Sequence, residues 1–210
     1  MADAFRSLID RVRAEADPVE YERLVALARE ETPAARDELA SVLAESQRPL
    51  WAREVAAFAL GSAGDRRCFE TLIFMLNYRD PVRCATAAHA LARLRDPRTA
   101  RAAAALATNE LRTGYALHAV RLLTALRAPE SVPTLISVLQ RLLMGPVHYW
   151  PIAEACVQGL GALGDRRAIA VLAAAAEHHR LSPFAKAALA RIPAAQGRPR
   201  RRAVRPNSCP

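Results

Sequence analysis

A twelve-residue pattern that returns along the chain is the feature that most limits the possible folds. Residues 56–67 read AAFALGSAGDRR, and close copies stand at 87–98 (AAHALARLRDPR) and 156–167 (CVQGLGALGDRR), with a weaker copy, AVRLLTALRAPE, at 119–130. The spacings are 31, 32 and 37 residues when counted at Asp65, Asp96, Ala128 and Asp165. A unit of this length holds two helices and buries its apolar face only by stacking on its neighbours. The sequence therefore predicts a stack of helix pairs.

Each part of the pattern has a mechanical role in such a stack. The small residues allow neighbouring helices to approach closely, and the leucines fill the space between layers. Gly64 and Gly164 stand where a helix ends and needs a left-handed residue. Asp65, Asp96 and Asp165 then follow as predicted N-caps of the next helix.

The remaining helices are placed by apolar residues at helical spacing. They are predicted at about 68–76, 99–107, 132–143 and 168–177, between the motif helices. An earlier, divergent pair is predicted at 18–46, and a closing helix at 181–191. We expect one helical domain over residues 1–197, followed by a disordered Arg/Pro-rich tail at 198–210.

This pattern, A-A-x-A-L-G-x-x-G-D-x-R, resembles the HEAT-like repeats that also occur in phycobilin lyases. The resemblance covers about residues 50–177 and implies an all-α fold, a right-handed α-solenoid of antiparallel helix pairs. The residues that match are those that build the stack, so the resemblance is strong evidence for fold and weak evidence for function.

The charge of the chain is concentrated at its C-terminal end. The formal net charge is +9, but residues 191–210 hold six arginines and no acid, which leaves +3 for residues 1–190. This argues against a folded body that follows a phosphate backbone.

No apolar run reaches the ~20 residues needed to span a bilayer, and residues 1–14 lack the apolar core of a secretory signal. We therefore expect a cytoplasmic protein that does not insert into membranes.

No catalytic, cofactor or metal site is predicted. The four cysteines show no CxxC spacing, and the five histidines show no HExxH spacing or other ligand pattern. No Gly-rich phosphate loop follows a predicted strand. The sequence thus favours a protein that is not an enzyme.

The best candidate for a binding surface is a column on the motif helices. In a HEAT-like solenoid these helices generally line the concave face, and the position after the alanine pair points away from the packed interior. This concave row, with its flanking turns, consists of Phe58, His89, Arg93, His118, Arg121, Glu154 and Gln158. Its mixture of aromatic, basic and acidic side chains is typical of protein recognition. An ordinary solvated repeat face would show a similar mixture.

Two further segments are candidates. The insertion at 144–151 lengthens the last spacing and places three ring side chains, His148, Tyr149 and Trp150, between prolines; repeat insertions often lie on a binding rim. Alternatively, Trp150 staples the next helix to its neighbour. The tail could bind acidic protein or nucleic acid through its arginines, Arg198, Arg200, Arg201, Arg202 and Arg205. Alternatively, the tail serves only for solubility.

Three functions remain in competition. The leading hypothesis is a non-enzymatic scaffold or adaptor that binds another protein through the concave row. The resemblance to phycobilin lyases implies a second, a lyase or chaperone-like role on a bilin. The third is nucleic-acid binding, including the activity of the HEAT-like alkylpurine DNA glycosylases that the fold resembles. Against it, the central column, Phe58, His89, Arg121 and Gln158, contains no Asp.

Overall fold

A computed structural model describes residues 2–146 and 149–193 of the chain, and this part contains helices and turns but no strand. The predicted tail lies outside the described residues. The α-helices are α1 (Ala2–Val12), α2 (Pro18–Arg29), α3 (Pro33–Ala44), α4 (Leu50–Ser62), α5 (Phe69–Leu76), α6 (Pro81–Leu94), α7 (Arg98–Thr108), α8 (Leu117–Leu126), α9 (Ser131–Met144), α10 (Trp150–Leu163), α11 (Ile169–Ala176) and α12 (Ser182–Arg191).

The helices form two rows. The motif helices α4, α6, α8 and α10 pack side by side, and α2 and α12 extend this inner row at its two ends. The outer row consists of α3, α5, α7, α9 and α11. Of these, α3, α5 and α9 each pack against two inner helices, whereas α7 packs mainly against α8 and α11 mainly against α12. The predicted all-α solenoid of helix pairs is confirmed.

The aspartates of the motif cap the turns that lead into the next helices: Asp65 and Asp165 are the N-caps of 3-10 turns at Arg66–Cys68 and Arg166–Ala168, whereas the N-cap of α7 is Pro97 and Asp96 stands one residue before it. Asp65, Asp96 and Asp165 each accept a hydrogen bond from the backbone N–H two residues on, at 3.0, 2.9 and 2.8 Å. The arginine at that position also donates its Nε–H to the same carboxylate. These hydrogen bonds hold the pKa of all three carboxyls below the ordinary value.

The turn before the cap is built in two ways. Gly64 and Gly164 adopt the predicted left-handed conformation, with φ of 79° and 70°, whereas the other two copies place Arg95 and Arg127 there, at 52° and 51°. A side chain in this region costs energy that glycine avoids. In the copy that lacks the aspartate, the buried hydroxyl of Ser131 accepts from the N–H of Ala128 and donates to the C=O of Leu123.

Small residues bring the inner helices into close contact. A Cβ added to Gly61 of α4 would lie 3.1 Å from Ala90 Cβ of α6, and one added to Gly161 of α10 would lie 2.7 Å from Ala188 Cβ of α12. The described cysteines belong to this packed interior: burial raises the pKa of the Cys68 and Cys156 thiols to about 12. They are structural, unreactive thiols at neutral pH.

The N-terminal helix is the element that the repeat pattern did not predict. Leu8, Ile9 and Val12 on one face of α1 are buried, and α1 packs on α4 and α6 of the inner row. It therefore lies across the row of motif helices and adds no pair to the stack. This placement decides how much of the candidate site is open.

Candidate functional site

The structure divides the concave row into a covered part and an open part. Phe58 is only 1% exposed, so its predicted exposure is wrong. The physical reason is α1, whose Phe5 stacks on the Phe58 ring at a centroid distance of 5.8 Å. His89 stacks on Phe58 at 5.9 Å and remains exposed, and Arg93 is exposed one turn further along α6.

The covered part contains a buried ion network that sequence patterns did not reveal. Glu54 of α4 is 1% exposed, and one of its carboxylate oxygens pairs with Arg11 of α1. The other oxygen accepts a hydrogen bond from Arg83 Nε of α6 at 2.9 Å. One carboxylate thus joins three helices. A search for charged residues spaced within one repeat could not find this network, because its members come from three separate segments.

The open part is a groove formed by α8, α10 and α12. It has a volume of about 480 Å³ and includes two members of the concave row, Arg121 and Gln158. Small residues form its floor, namely Ala155, Gly159, Ala162, Ala187 and Ala188. Thr124 of α8 also lines the groove, and Phe184 and Arg191 of α12 complete the lining. The predicted concave row does not include Phe184 and Arg191. Its members are defined by their position in the repeated motif, and α12 contains no copy of that motif.

The charge of this groove is positive. Neither Arg121 nor Arg191 forms an ion pair with any residue in the described ranges, and none of the residues lining the groove is acidic. Glu154, one turn from Gln158, accepts a hydrogen bond from its amide at 2.8 Å. Two exposed guanidinium groups beside an apolar floor can bind a carboxylate-bearing chain.

The pKa values of the two histidines in the concave row, His89 and His118, are lower than that of a free histidine. Burial lowers the pKa of His118 below 6.5, and the positive charge of Arg121 lowers it further. Burial also lowers the pKa of His89. Both rings are therefore neutral at pH 7 and add no charge to the row at that pH.

The predicted aromatic loop is described only in part, since His148 lies outside the described residues. Tyr149 is 41% exposed and directs its ring to within 3.3 Å of the position that a Cβ on Gly114 would take. Trp150 is half-buried, with its ring 6.1 Å from His178 and the Arg180 guanidinium 5.6 Å from its centroid. Trp150 thus links the start of α10 to the loop between α11 and α12, while the Tyr149 side chain remains exposed.

The described residues contain neither a metal-binding cluster nor a membrane-spanning helix. No group of three or more His, Cys, Asp or Glu side chains there could hold a metal ion. No helix in those ranges is both long and apolar enough to span a bilayer.

Comparison with known proteins gives a family model and a structural likeness. The model described as PBS lyase HEAT-like repeat matches residues 52–78 and 152–178. A solved structure of human deoxyhypusine hydroxylase, in complex with glycerol, is similar over 90% of this chain and 84% of that chain, with 15% sequence identity and a TM-score of 0.47. No curated protein matches the sequence.

The fold and the repeat matches together define a class of protein. The molecule is an α-solenoid of stacked helix pairs. More particularly, two of its helix pairs, α4 with α5 and α10 with α11, match the model described as PBS lyase HEAT-like repeat.

Proposed function

We propose that the chain is a non-enzymatic scaffold that binds an acidic segment of another protein in the groove between α8, α10 and α12. The observation that carries this proposal is that Arg121 and Arg191, neither of which forms an ion pair with a described residue, lie beside an apolar floor in one open groove. Arginine and aromatic side chains are enriched at the anchoring points of protein interfaces, and Phe184 supplies the aromatic ring.

The geometry favours a chain over a small molecule. The groove runs across three helices, and half of its lining residues are alanine or glycine, which offer close approach and few directional polar groups. A small-molecule site usually adds precisely placed polar groups within an enclosing pocket. A peptide with alternating acidic and apolar residues would instead place carboxylates at the two arginines and short side chains on the floor.

A photo-crosslinking experiment tests the location directly. Gln158 is replaced by a benzophenone amino acid in the full chain, and crosslinked protein is captured from the native host under ultraviolet light. Gln140, exposed on the outer helix α9, carries the same replacement in the matched control. We expect a discrete crosslinked partner from position 158 that is absent from position 140. Equal products at both positions would contradict the proposal.

Charge reversal then tests the chemistry. Arg121→Glu combined with Arg191→Glu should abolish recovery of that partner, because both predicted carboxylate contacts become repulsive. Arg101→Glu, an exposed substitution on the outer helix α7, should leave recovery unchanged. Retention of the partner by the double variant would show that the groove does not recognise acidic residues.

A further inference from the structure

A second cavity lies at the end of the inner row opposite the groove of the proposed function. It has a volume of about 490 Å³ and is lined by residues of α1, α2, α3 and α4 and by Arg93 of α6. It shares no lining residue with the groove between α8, α10 and α12. Small-molecule sites have volumes of about 300–1,000 Å³, so this cavity is large enough to hold one small ligand.

The interior of this cavity is apolar. Leu39 and Phe58 are buried and Phe5 and Leu27 are half-buried, and all four line it together with alanines of α2 and α4. Phe5 of α1 stacks on Phe58 at a centroid distance of 5.8 Å and forms one wall. The space is thus open while α1 is packed in place, and a ligand can remove apolar surface from water there without any helix moving.

The residues at the mouth of the cavity are charged. Arg29 and Arg93 are exposed and Arg36 is half-buried, and none of the three forms an ion pair with a residue of the described ranges. Glu30 and Glu31, in the turn between α2 and α3, also line the cavity, so three arginines against two glutamates give the lining a formal charge of +1. A guanidinium without an acidic partner is available for charge-assisted hydrogen bonds to an anion.

A serine and an arginine meet at one end of the cavity. The backbone C=O of Ser62, the last residue of α4, accepts a hydrogen bond from Arg93 Nη2 at 3.5 Å. The side-chain hydroxyl of Ser62 is buried and has no hydrogen-bond partner within the described part of the chain. A buried hydroxyl without a partner is costly, so a ligand oxygen that pairs with it is favoured. This end of the cavity therefore suits an anionic oxygen.

We propose that this cavity binds a small amphiphilic carboxylate. The apolar body of the ligand would lie against Phe5, Leu39 and Phe58, and its carboxylate would lie beside Ser62 and Arg93. A neutral apolar molecule would leave the guanidinium groups without a counter-charge, and a wholly polar one would leave the apolar interior in contact with water. The inference goes beyond the proposed function, because it concerns a different cavity and a small molecule instead of a segment of a protein.

Octanoate and octan-1-ol are a matched pair of probes, since they share an alkyl chain and differ in the charged group. Each is titrated into the full wild-type chain by isothermal titration calorimetry. We expect octanoate to bind once per chain and at least about tenfold more tightly than octan-1-ol, because hydrogen bonds to a charged group contribute more than neutral ones. Equal affinities would show that the cavity takes any apolar molecule and would overturn the proposal, as would the absence of octanoate binding.

Two pairs of substitutions locate the binding. Arg29→Gln combined with Arg93→Gln removes two positive charges from the cavity and should weaken octanoate binding by at least about tenfold while leaving octan-1-ol binding unchanged. Arg121→Gln combined with Arg191→Gln removes the same charge from the groove and should bind octanoate as wild type does. Unchanged octanoate affinity in the first pair, or a loss in the second, would overturn the proposal. Because the protein partner is tested at the groove, the two proposals can fail separately.

Hydrogen exchange of the wild-type chain gives a location that does not depend on any variant folding. Saturating octanoate should slow the exchange of amides in α2 and α4 and leave those of α10 unchanged, because a ligand suppresses local opening of the helices that it contacts. Slowing confined to α10 and α12 would place octanoate in the groove and overturn the proposal.

Discussion

The close approach of the α12 backbone to Gly161 of α10 makes Gly161→Ala a direct test of the packing between these two inner helices. The added Cβ would lie 2.7 Å from Ala188 Cβ and 2.8 Å from Ala188 Cα, and Cα is backbone that no rotamer change can move. Because ordinary carbon contacts lie at about 3.5–4.0 Å, α10 and α12 would have to separate by roughly 1 Å. Overpacking of this kind costs about 1–3 kcal/mol.

An opposing effect must be subtracted from this cost. Alanine is favoured over glycine in a helix by about 1 kcal/mol. We therefore expect Gly161→Ala to lower the free energy of unfolding by up to about 2 kcal/mol, measured from urea transitions followed by circular dichroism. Gly61→Ala is the comparison variant and should cost less, because its nearest atom is the end of the Leu72 side chain, 2.9 Å away, which can rotate, and Ala90 Cβ follows only at 3.1 Å. A Gly161→Ala chain about 1 kcal/mol more stable than wild type would refute the close approach of α10 and α12.

Three further outcomes can be checked with simple measurements. Arg95→Gly should raise the free energy of unfolding by about 0.5–1 kcal/mol in urea, because it removes a side chain from a left-handed residue, φ 52°; a loss of stability would contradict this. Burial lowers the pKa of His118 in the folded chain. The contribution of the neutral ring to the free energy of unfolding is therefore complete above about pH 6.5 and is lost as the pH falls further. The urea midpoint of wild type should therefore drop more between pH 7.5 and pH 5 than that of His118→Gln, and equal drops would exclude the effect. Finally, any DNA mobility shift should disappear on deletion of residues 198–210 and with rising salt, since the basic charge is concentrated there; a shift that persists would place nucleic-acid binding on the folded body.

The helix pairs were predictable because their signals are local and repeated. Gly64 and Asp65 mark a helix end and a helix start within two residues, and the same marks return at Gly164 and Asp165. The stack then follows, because an isolated pair cannot cover its own apolar face.

The covering of Phe58 was not predictable from the repeat, because it depends on a helix outside the periodic region. Phe5, Leu8, Ile9 and Val12 do show helical spacing. That pattern would have indicated an amphipathic α1, but it carries no information on which helices α1 packs against. The α12 side of the groove was missed for a related reason, since Phe184 and Arg191 have no counterparts in the motif.

The two ways of building the inter-helix turn also bear on how such repeats are counted. The family model matches the two copies whose turns contain Gly64 and Gly164, and neither of the copies that use Arg95 and Arg127. All four turns nevertheless have the same left-handed backbone conformation. Recognition by residue identity therefore finds two of the four motif copies, whereas the backbone conformation of the turn identifies all four. A count of such units by backbone conformation would assign this molecule a longer array than a count by sequence profile.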